Sequence, residues 1–207
     1  MEQNVVAIVG NGTSRANYDL MKFHRAGISV WGCNALYREY QPVTFPLPDK
    51  LVMVDDGIIE EVRHSQFPKD NIIIPTVDER WEPAEANPNR PRMNAGMAAM
   101  IQAIRIGYTR LICLGFDFLI MESAQSVSNL YDGTDNYGPN TRANVSDNGN
   151  RISFLHWLMS HNRHVTFQFV YPSNTIVHTL YDQNIRWGTY PNIDDMLQRL
   201  TQARISS

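Results

Sequence analysis

Two glycines near the amino terminus have a spacing that suggests ligand binding. They directly follow the apolar run Val5–Val9, in the stretch Gly10-Asn11-Gly12-Thr13-Ser14. Glycines between a first strand and a helix let backbone N–H groups approach a phosphate near the helix N-terminus. The pattern therefore predicts a phosphate-binding turn, while a tight turn without a ligand remains the alternative.

The same region departs from the dinucleotide-binding fingerprint. That fingerprint has a third glycine where Arg15 stands, and an acidic residue after the second strand to bind a ribose hydroxyl. Here the second strand leads into Gly32-Cys33-Asn34. The sequence therefore argues against NAD binding. A small Rossmann-type oxidoreductase stays as a further alternative for the function, and it rests on the two glycines alone.

Polar side chains also follow other predicted strands. Asp117 comes just after the apolar run 111–115, and Asn34 follows the second strand. The carboxyl ends of parallel strands border the crevice where ligands bind. Asp117 either faces that crevice or caps a neighbouring turn. Asn34 either faces it or caps a short helix at 35–40.

Composition excludes several other classes of function. The chain has 207 residues, 43% hydrophobic residues and a net charge of −3, without a dense Lys/Arg cluster, so we expect no nucleic-acid partner. No apolar stretch is long enough to span a membrane, and the amino terminus does not resemble a secretory signal, so we expect a cytoplasmic protein. The two cysteines, and the spacing of His and Cys, predict neither a disulfide framework nor a metal site.

The elements that must position these residues alternate along the chain. Strand-like runs lie at 5–9, 28–31, 50–54, 71–74, 111–115 and 165–170; helical patterns lie at 17–25, 57–64, 94–107, 152–159 and 194–203. Such alternation predicts an α/β, Rossmann-like fold, with a mostly parallel sheet and helices on both faces. We expect a single domain spanning 1–207. The polar, aperiodic stretch at about 120–150 is expected to form a flexible lid.

Together these motifs resemble the bacterial sialyltransferases that use CMP-sialic acid. The resemblance covers roughly residues 5–175 and is carried by five motifs in order: Gly10-Asn11-Gly12-Thr13-Ser14, Cys33-Asn34, Arg92-Met93-Asn94-Ala95-Gly96, Gly115-Phe116-Asp117-Phe118 and Tyr171-Pro172-Ser173-Asn174. It implies a Rossmann-like glycosyltransferase fold, a CMP-type nucleotide-sugar donor, no required metal or cofactor, and a lid that orders over the donor.

The resemblance also assigns roles to individual residues. Asn11 and Asn34 match the asparagines that hold the phosphate and ribose side of the donor. Arg92 and Tyr131 match groups that stabilise the leaving phosphate, whereas Leu119 stands where a second aromatic hydroxyl is expected. The remaining residues expected to bind the donor are Gly10, Gly12, Thr13, Ser14, Asn94, Ala95, Gly96, Asp117, Pro172, Ser173 and Asn174.

The chain departs from the family at the catalytic base. The family places a histidine just before the helix that follows the lid, and the stretch 144–148 contains none. Asp147 could serve as a carboxylate base instead, and His156 is the alternative; otherwise His156 is a solvated helix residue.

Two readings of function follow from this departure. One is a glycosyltransferase that moves a sugar to the hydroxyl of a glycan-type acceptor. The other is a catalytically inactive nucleotide-binding or sensor protein of the same fold. The chain is short for the family, which is consistent with a reduced viral or environmental microbial member, and a homo-oligomer is possible.

Overall fold

The computed structural model describes residues 4–120, 129–138, 145–177 and 180–205. Seven strands form one sheet in the order β4-β3-β2-β1-β5-β6-β7, and every pair of neighbouring strands is parallel. The strands are β1 (Val5–Val9), β2 (Ser29–Cys33), β3 (Lys50–Val52), β4 (Ile72–Ile73), β5 (Arg110–Leu114), β6 (Thr166–Tyr171) and β7 (Ile185–Thr189). The helices are α1 (Met21–Arg25), α2 (Asp56–Arg63), α3 (Ala95–Arg105), α4 (Val145–His161) and α5 (Tyr190–Ile205).

The sheet divides the apolar core into two layers. Along β1, Val6 and Ile8 face the layer that contains α3 and α4, whereas Ala7 and Val9 face the layer that contains α1, α2 and α5. Successive strand side chains point to opposite faces, so a strand covered on both sides is apolar throughout. All four of these side chains are fully buried. The predicted α/β class, with helices on both faces, is confirmed.

The order of the strands creates a crevice between β1 and β5. From β1 the chain proceeds outward through β2, β3 and β4, and it then returns to place β5, β6 and β7 on the other side of β1. The connections therefore diverge on the two sides of this point. In open α/β sheets, ligands bind beyond the carboxyl ends of the strands at such a switch point.

The predicted elements match the observed ones most closely in the strands. All six predicted strands are present, with ends shifted by up to two residues. The seventh strand, β7, was not predicted, because Arg186 and Gly188 interrupt its apolar pattern. It is held in the sheet by pairing with β6, from Phe167 opposite Ile185 to Tyr171 opposite Thr189.

Helix boundaries differ more from the expectation. The first helix is shorter than predicted and begins at Met21. Helix α4 begins at Val145 rather than 152, and its polar first turns dock on a neighbouring loop, where Asn87 Nδ2 donates to Asn150 Oδ1 at 3.2 Å. Helix α5 begins four residues early, with Pro191 in its first turn, where proline is tolerated. Tertiary contacts override weak helix propensity in this way.

The stretch predicted to form a lid, at about 120–150, differs from part to part in the structure. Residues 121–128 and 139–144 lie outside the described residues. Residues 145–150 are helical, and residues 129–138 form turns packed against the body of the protein. No helix in the described ranges has both the length and the apolar character needed to cross a bilayer.

Candidate functional site

A cleft of about 410 Å³ opens at the carboxyl ends of the central strands, at the switch point between β1 and β5. Its walls come from the strand tips, the start of α3, the residues after β5, the segment 129–138 and α4. The lining residues are Gly10, Asn11, Gly12, Cys33, Asn34, Val54, Asp55, Arg92, Met93, Asn94, Ala95, Gly96, Gly115, Phe116, Asp117, Phe118, Asn129, Asn136, Tyr137 and Arg151.

The two glycines of the first turn serve a different purpose from the predicted one. Gly10 N–H donates to Leu114 O at 2.8 Å, and Gly12 N–H donates to Gly115 O at 3.0 Å. A Cβ atom on Gly10 would lie 2.6 Å from Gly115 O. Both glycines line the cleft, but their amides are engaged within the protein. The N–H groups of Gly10 and Gly12 are therefore not available to a phosphate, because the tip of β5 approaches closely and accepts from both.

Thr13 and Ser14 hold Asp117 rather than lining the cleft. The Asp117 carboxylate accepts hydrogen bonds from Ser14 N–H at 2.9 Å, from Ser14 Oγ at 2.5 Å and from Thr13 Oγ1 at 3.4 Å. Burial raises the pKa of Asp117, and the hydrogen bonds from Ser14 act in the opposite direction. Asp117 is thus both a lining residue and the acceptor that fixes the turn after β1, as the alternative reading proposed.

Asn34 links the tip of β2 to the tip of β3. Its Oδ1 accepts from Val54 N–H at 3.2 Å, and its Nδ2 donates to Asp55 Oδ2 at 2.5 Å. The residue has a positive φ of 47° and makes no side-chain cap on the short 3-10 helix that follows. The capping role considered for Asn34 is wrong, and its position at the cleft is the observed one.

Arg92 and the start of α3 form one wall of the cleft. A guanidinium N–H of Arg92 donates to Val54 O, and its Nε lies 3.9 Å from Asp55 Oδ1. Asn94 is the N-cap of α3, because its Oδ1 accepts from Met97 N–H at 2.9 Å. The predicted triplet of Asn94, Ala95 and Gly96 therefore lies at the cleft, with the helix N-terminus directed toward it.

The structure separates the two tyrosines of the segment 129–138. Tyr131 OH donates to Glu39 Oε1 at 2.5 Å and accepts from Arg15 Nη2 at 3.1 Å. Tyr131 lines a smaller cavity of about 260 Å³, bordered by Arg15 and Glu39, and it does not line the cleft. The predicted role of Tyr131 beside the leaving phosphate is therefore not supported, because its hydroxyl is bound to the partly buried ion pair of Arg15 and Glu39.

Tyr137 occupies the cleft instead. Its hydroxyl accepts from Asn11 Nδ2 at 3.4 Å, and burial raises its pKa to about 12. Tyr137 was not among the predicted site residues, although it lies in the same predicted lid as Tyr131.

The segment 129–138, which we call the flap, is fixed to the body at both ends. Leu130 N–H donates to Asn11 O at 2.8 Å, beside the Tyr131 contacts already described. At the other end, Arg38 donates to Thr134 Oγ1 at 2.6 Å and to Asp135 O at 2.7 Å. Its guanidinium also lies 5.7 Å from the ring centroid of Tyr137. The flap is thus a formed wall of the cleft.

The start of α4 places Arg151, rather than Asp147, at the cleft. Asp147 is exposed on the first turn of α4 and is not a lining residue, so its predicted role as the base is not supported by its position. One turn later, the Arg151 guanidinium lies 5.8 Å from the centroid of the Phe118 ring and donates to Asn148 Oδ1 at 3.3 Å. Burial lowers the pKa of Arg151.

The other predicted bases and strand-end residues lie elsewhere. His156 Nδ1 is 3.1 Å from Asp182 Oδ2, away from the cleft lining. Pro172, Ser173 and Asn174 follow the end of β6 and do not line the cleft, so the predicted donor contacts of these three residues are not supported. The tip of β6 is occupied by Tyr171, whose hydroxyl donates to Phe116 O at 2.9 Å.

Comparison with known proteins supports the fold. No family model matches the sequence, and no curated protein is significantly similar. Among solved structures, the chain resembles the sialyltransferase CstII from Campylobacter jejuni, determined in complex with the substrate analogue cytidine-5'-monophosphate. The two share 14% identity and a TM-score of 0.54, over 85% of this chain and 83% of the other. The chain has a sialyltransferase-like fold.

The chemistry available in this cleft is set by its polar groups. Within the described ranges, no group of three or more His, Cys, Asp or Glu side chains could hold a metal ion. Cys33 lines the cleft, but burial raises its pKa to about 12, so the thiol is not a thiolate nucleophile at neutral pH. The lining offers two arginine side chains as cationic donors and several asparagine side chains as hydrogen-bond donors and acceptors.

Proposed function

We propose that the protein binds a CMP-type nucleotide sugar in this cleft and transfers the sugar to the hydroxyl group of an acceptor. The sialyltransferase-like fold supports this proposal, and so does the position of the cleft at the switch point between β1 and β5. The nucleotide would bind beyond the strand tips, as ligands do in other open α/β sheets.

The observation that carries the proposal is that two arginines and the N-terminus of a helix line the same cleft. Arg92, Arg151 and the first residues of α3 all line it. The first N–H groups of an α-helix have no intrahelical acceptor, and the helix dipole favours an anion at that end. Ala95 and Gly96 contribute such groups to the lining that also contains the two guanidinium groups. A phosphate would therefore bind here, rather than at the amides of Gly10 and Gly12.

Asparagine side chains account for recognition of the rest of the ligand. Asn11, Asn34, Asn129 and Asn136 line the same cleft, and each amide can both donate and accept hydrogen bonds. Asn11 Oδ1 is buried and has no hydrogen-bond partner among the described residues. A buried acceptor without a partner costs free energy, so a ligand hydroxyl or amino group donating to Asn11 would be favoured.

Charge in the cleft also suits the departure of a phosphate. When the bond between the sugar and the phosphate breaks, negative charge develops on the phosphate oxygen. Arg92 and Arg151, together with the hydroxyl of Tyr137, are donors on the cleft wall that could stabilise this charge. The function therefore rests on positioned donors, and Tyr137 takes the role expected of Tyr131.

Calorimetric titration with CMP, UMP, AMP and NAD tests the proposal. We expect CMP to bind, and we expect Arg92→Met to weaken binding by about 10- to 100-fold, since a hydrogen bond to a charged group is worth roughly 1.5–3 kcal/mol. Arg105→Met is the matched control, because Arg105 lies at the far end of α3 and pairs with Glu79. No heat of binding with CMP at millimolar concentration would overturn the proposal, and a preference for NAD would favour an oxidoreductase.

A second candidate is a binding protein that retains the pocket without transfer. It is favoured by one observation: no histidine lines the cleft in the described part of the chain. Such a protein would bind CMP and release none from a nucleotide-sugar donor, so an assay of CMP release separates the two functions.

A further inference from the structure

We propose that Asp55 is the general base that takes the proton from the acceptor hydroxyl. This inference rests on the proposed function. It assigns the missing base to a residue at the tip of β3 for which the sequence analysis considered no role. It also replaces Asp147, which lies outside the cleft lining.

Among the described lining residues, two carboxylates could accept a proton, Asp55 and Asp117. Both oxygens of Asp117 already accept hydrogen bonds from Ser14, and the side chain is almost fully buried. The Tyr137 hydroxyl is protonated at neutral pH, because burial raises its pKa to about 12. Asp55 is therefore the carboxylate in the cleft that is available to an acceptor.

The geometry of Asp55 combines a fixed position with access to solvent. Its Oδ2 accepts from Asn34 Nδ2 at 2.5 Å, which holds the carboxylate against the tip of β2. Its Oδ1 has no hydrogen-bond donor within reach in the described chain, since Arg92 Nε lies 3.9 Å away. The side chain is 49% exposed. One oxygen is thus held while the other can reach an acceptor, and Asn34 is the positioning residue.

The step balances with groups that the proposal already names. A lone pair on the acceptor oxygen forms a bond to the anomeric carbon, and the acceptor proton moves to Asp55 Oδ1. The bond between the anomeric carbon and the phosphate oxygen breaks, and its electron pair leaves with CMP. Arg92 and Arg151 on the cleft wall would stabilise the charge that the phosphate gains. Water can replace the acceptor hydroxyl, in which case the donor is hydrolysed.

Hydrolysis of CMP-sialic acid by the full-length protein tests the assignment without a known acceptor. CMP release would be measured against a protein-free blank, and CMP affinity would be measured in parallel by calorimetry. We expect Asp55→Asn to lower kcat by about 10²- to 10⁴-fold, the usual contribution of a general base, while CMP affinity changes little. Asparagine can still accept the hydrogen bond from Asn34, so the variant should fold, and Asp55→Glu should recover part of the rate.

Asp70→Asn is the matched control. Asp70 is an exposed residue that precedes β4 and does not line the cleft, so we expect wild-type turnover. Unchanged turnover in Asp55→Asn, or loss of turnover in Asp147→Asn instead, would overturn the assignment. A wild-type protein that binds CMP but releases none would also overturn it and leave nucleotide binding intact. Failure to bind CMP would overturn the proposed function itself.

Discussion

At the scale of single residues, the turn after β1 shows how a familiar motif can serve packing. Gly10 and Gly12 allow the tips of β1 and β5 to approach until N–H groups of one meet carbonyl oxygens of the other. The two glycines permit this close approach because they lack a Cβ atom. The same turn brings Ser14 to Asp117, so the residues expected to hold a phosphate instead hold the floor of the cleft together.

We predict that Gly10→Ala destabilises the fold. The new Cβ atom would lie 2.6 Å from Gly115 O, a backbone atom that cannot turn aside, so the strand tips must move apart. Overpacking of this kind costs about 1–3 kcal/mol. Urea unfolding followed by circular dichroism would measure the loss.

Gly149→Ala is the control for that experiment. Gly149 is an exposed residue of α4, and a Cβ atom there meets no atom within 4 Å. Alanine is favoured over glycine in a helix, so stability should stay equal or rise by up to about 1 kcal/mol. A Gly10→Ala protein as stable as the wild type would show that the strand tips are not in tight contact.

At the scale of elements, the flap depends on two arginines. Arg15 holds its first half through Tyr131, and Arg38 holds its second half through Thr134 and Asp135. Arg38 is itself fixed by a forked pair with Glu61 on α2, at 2.6 and 2.7 Å. The flap therefore places Tyr137 and the two flap asparagines at the cleft as an already formed wall.

We predict that Arg38→Met loosens the flap without unfolding the protein. The variant loses two charge-assisted hydrogen bonds to the flap, so local opening should become easier by at least about 1.4 kcal/mol, or tenfold in hydrogen exchange of the amides at 129–138. CMP affinity should fall as well, because Tyr137 loses its support. Hydrogen exchange followed by mass spectrometry would report the change.

The appropriate control is Arg63→Met. Arg63 lies on α2, is 64% exposed and pairs with Glu60 on the same helix. We expect the flap amides of the Arg63→Met variant to exchange at the wild-type rate. If Arg38→Met left exchange at 129–138 unchanged, Arg38 would not be the residue that holds this wall.

At the scale of the whole molecule, a buried carboxyl couples the fold to pH. Glu82 is 2% exposed, and its Oε2 has no hydrogen-bond partner among the described residues. Burial raises its pKa to about 7, against the lowering effects of an Asn87 hydrogen bond and of the Arg151 charge. The loop that carries Glu82 packs against the start of α4. Charging this buried group therefore lowers the free energy of unfolding of the whole protein.

We predict that the contribution of Glu82 to the free energy of unfolding falls as the pH rises from about 4.5 to about 7. At higher pH this contribution stays constant. Between these two pH values the unfolded state, with its Glu pKa near 4.3, binds fewer protons than the folded state, so raising the pH favours unfolding. Because one pKa unit is worth about 1.4 kcal/mol, the difference between a pKa of about 7 and one near 4.3 sets an upper limit of roughly 4 kcal/mol. Glu82→Gln removes it, so the variant should gain stability relative to the wild type at pH 8 and lose that advantage near pH 4.5.

Urea titrations at several pH values would measure this difference. Glu85→Gln provides the control, because Glu85 is an exposed residue of the same loop and should leave the pH profile unchanged. Parallel profiles for the wild type and Glu82→Gln would show that Glu82 is not the group responsible.

Local sequence patterns predicted most of the secondary structure. Apolar-rich runs predicted six strands, and all six are present. Gly27 and Gly107 follow the ends of α1 and α3 with positive φ values of 73° and 100°, a conformation that glycine adopts without strain. Periodicity and capping depend on neighbours within a few residues, so a single sequence can reveal them.

Tertiary structure decided which of the candidate residues meet. Tyr131 and Tyr137 lie six residues apart in one segment, and only packing against Arg15 and Glu39 turns the first away from the cleft. Asp55 follows a strand tip, so the rule applied to Asn34 could have found it, but its contact with Asn34 depends on the pairing of β2 with β3. Contacts between residues distant in sequence depend on strand order and register, which local patterns do not specify.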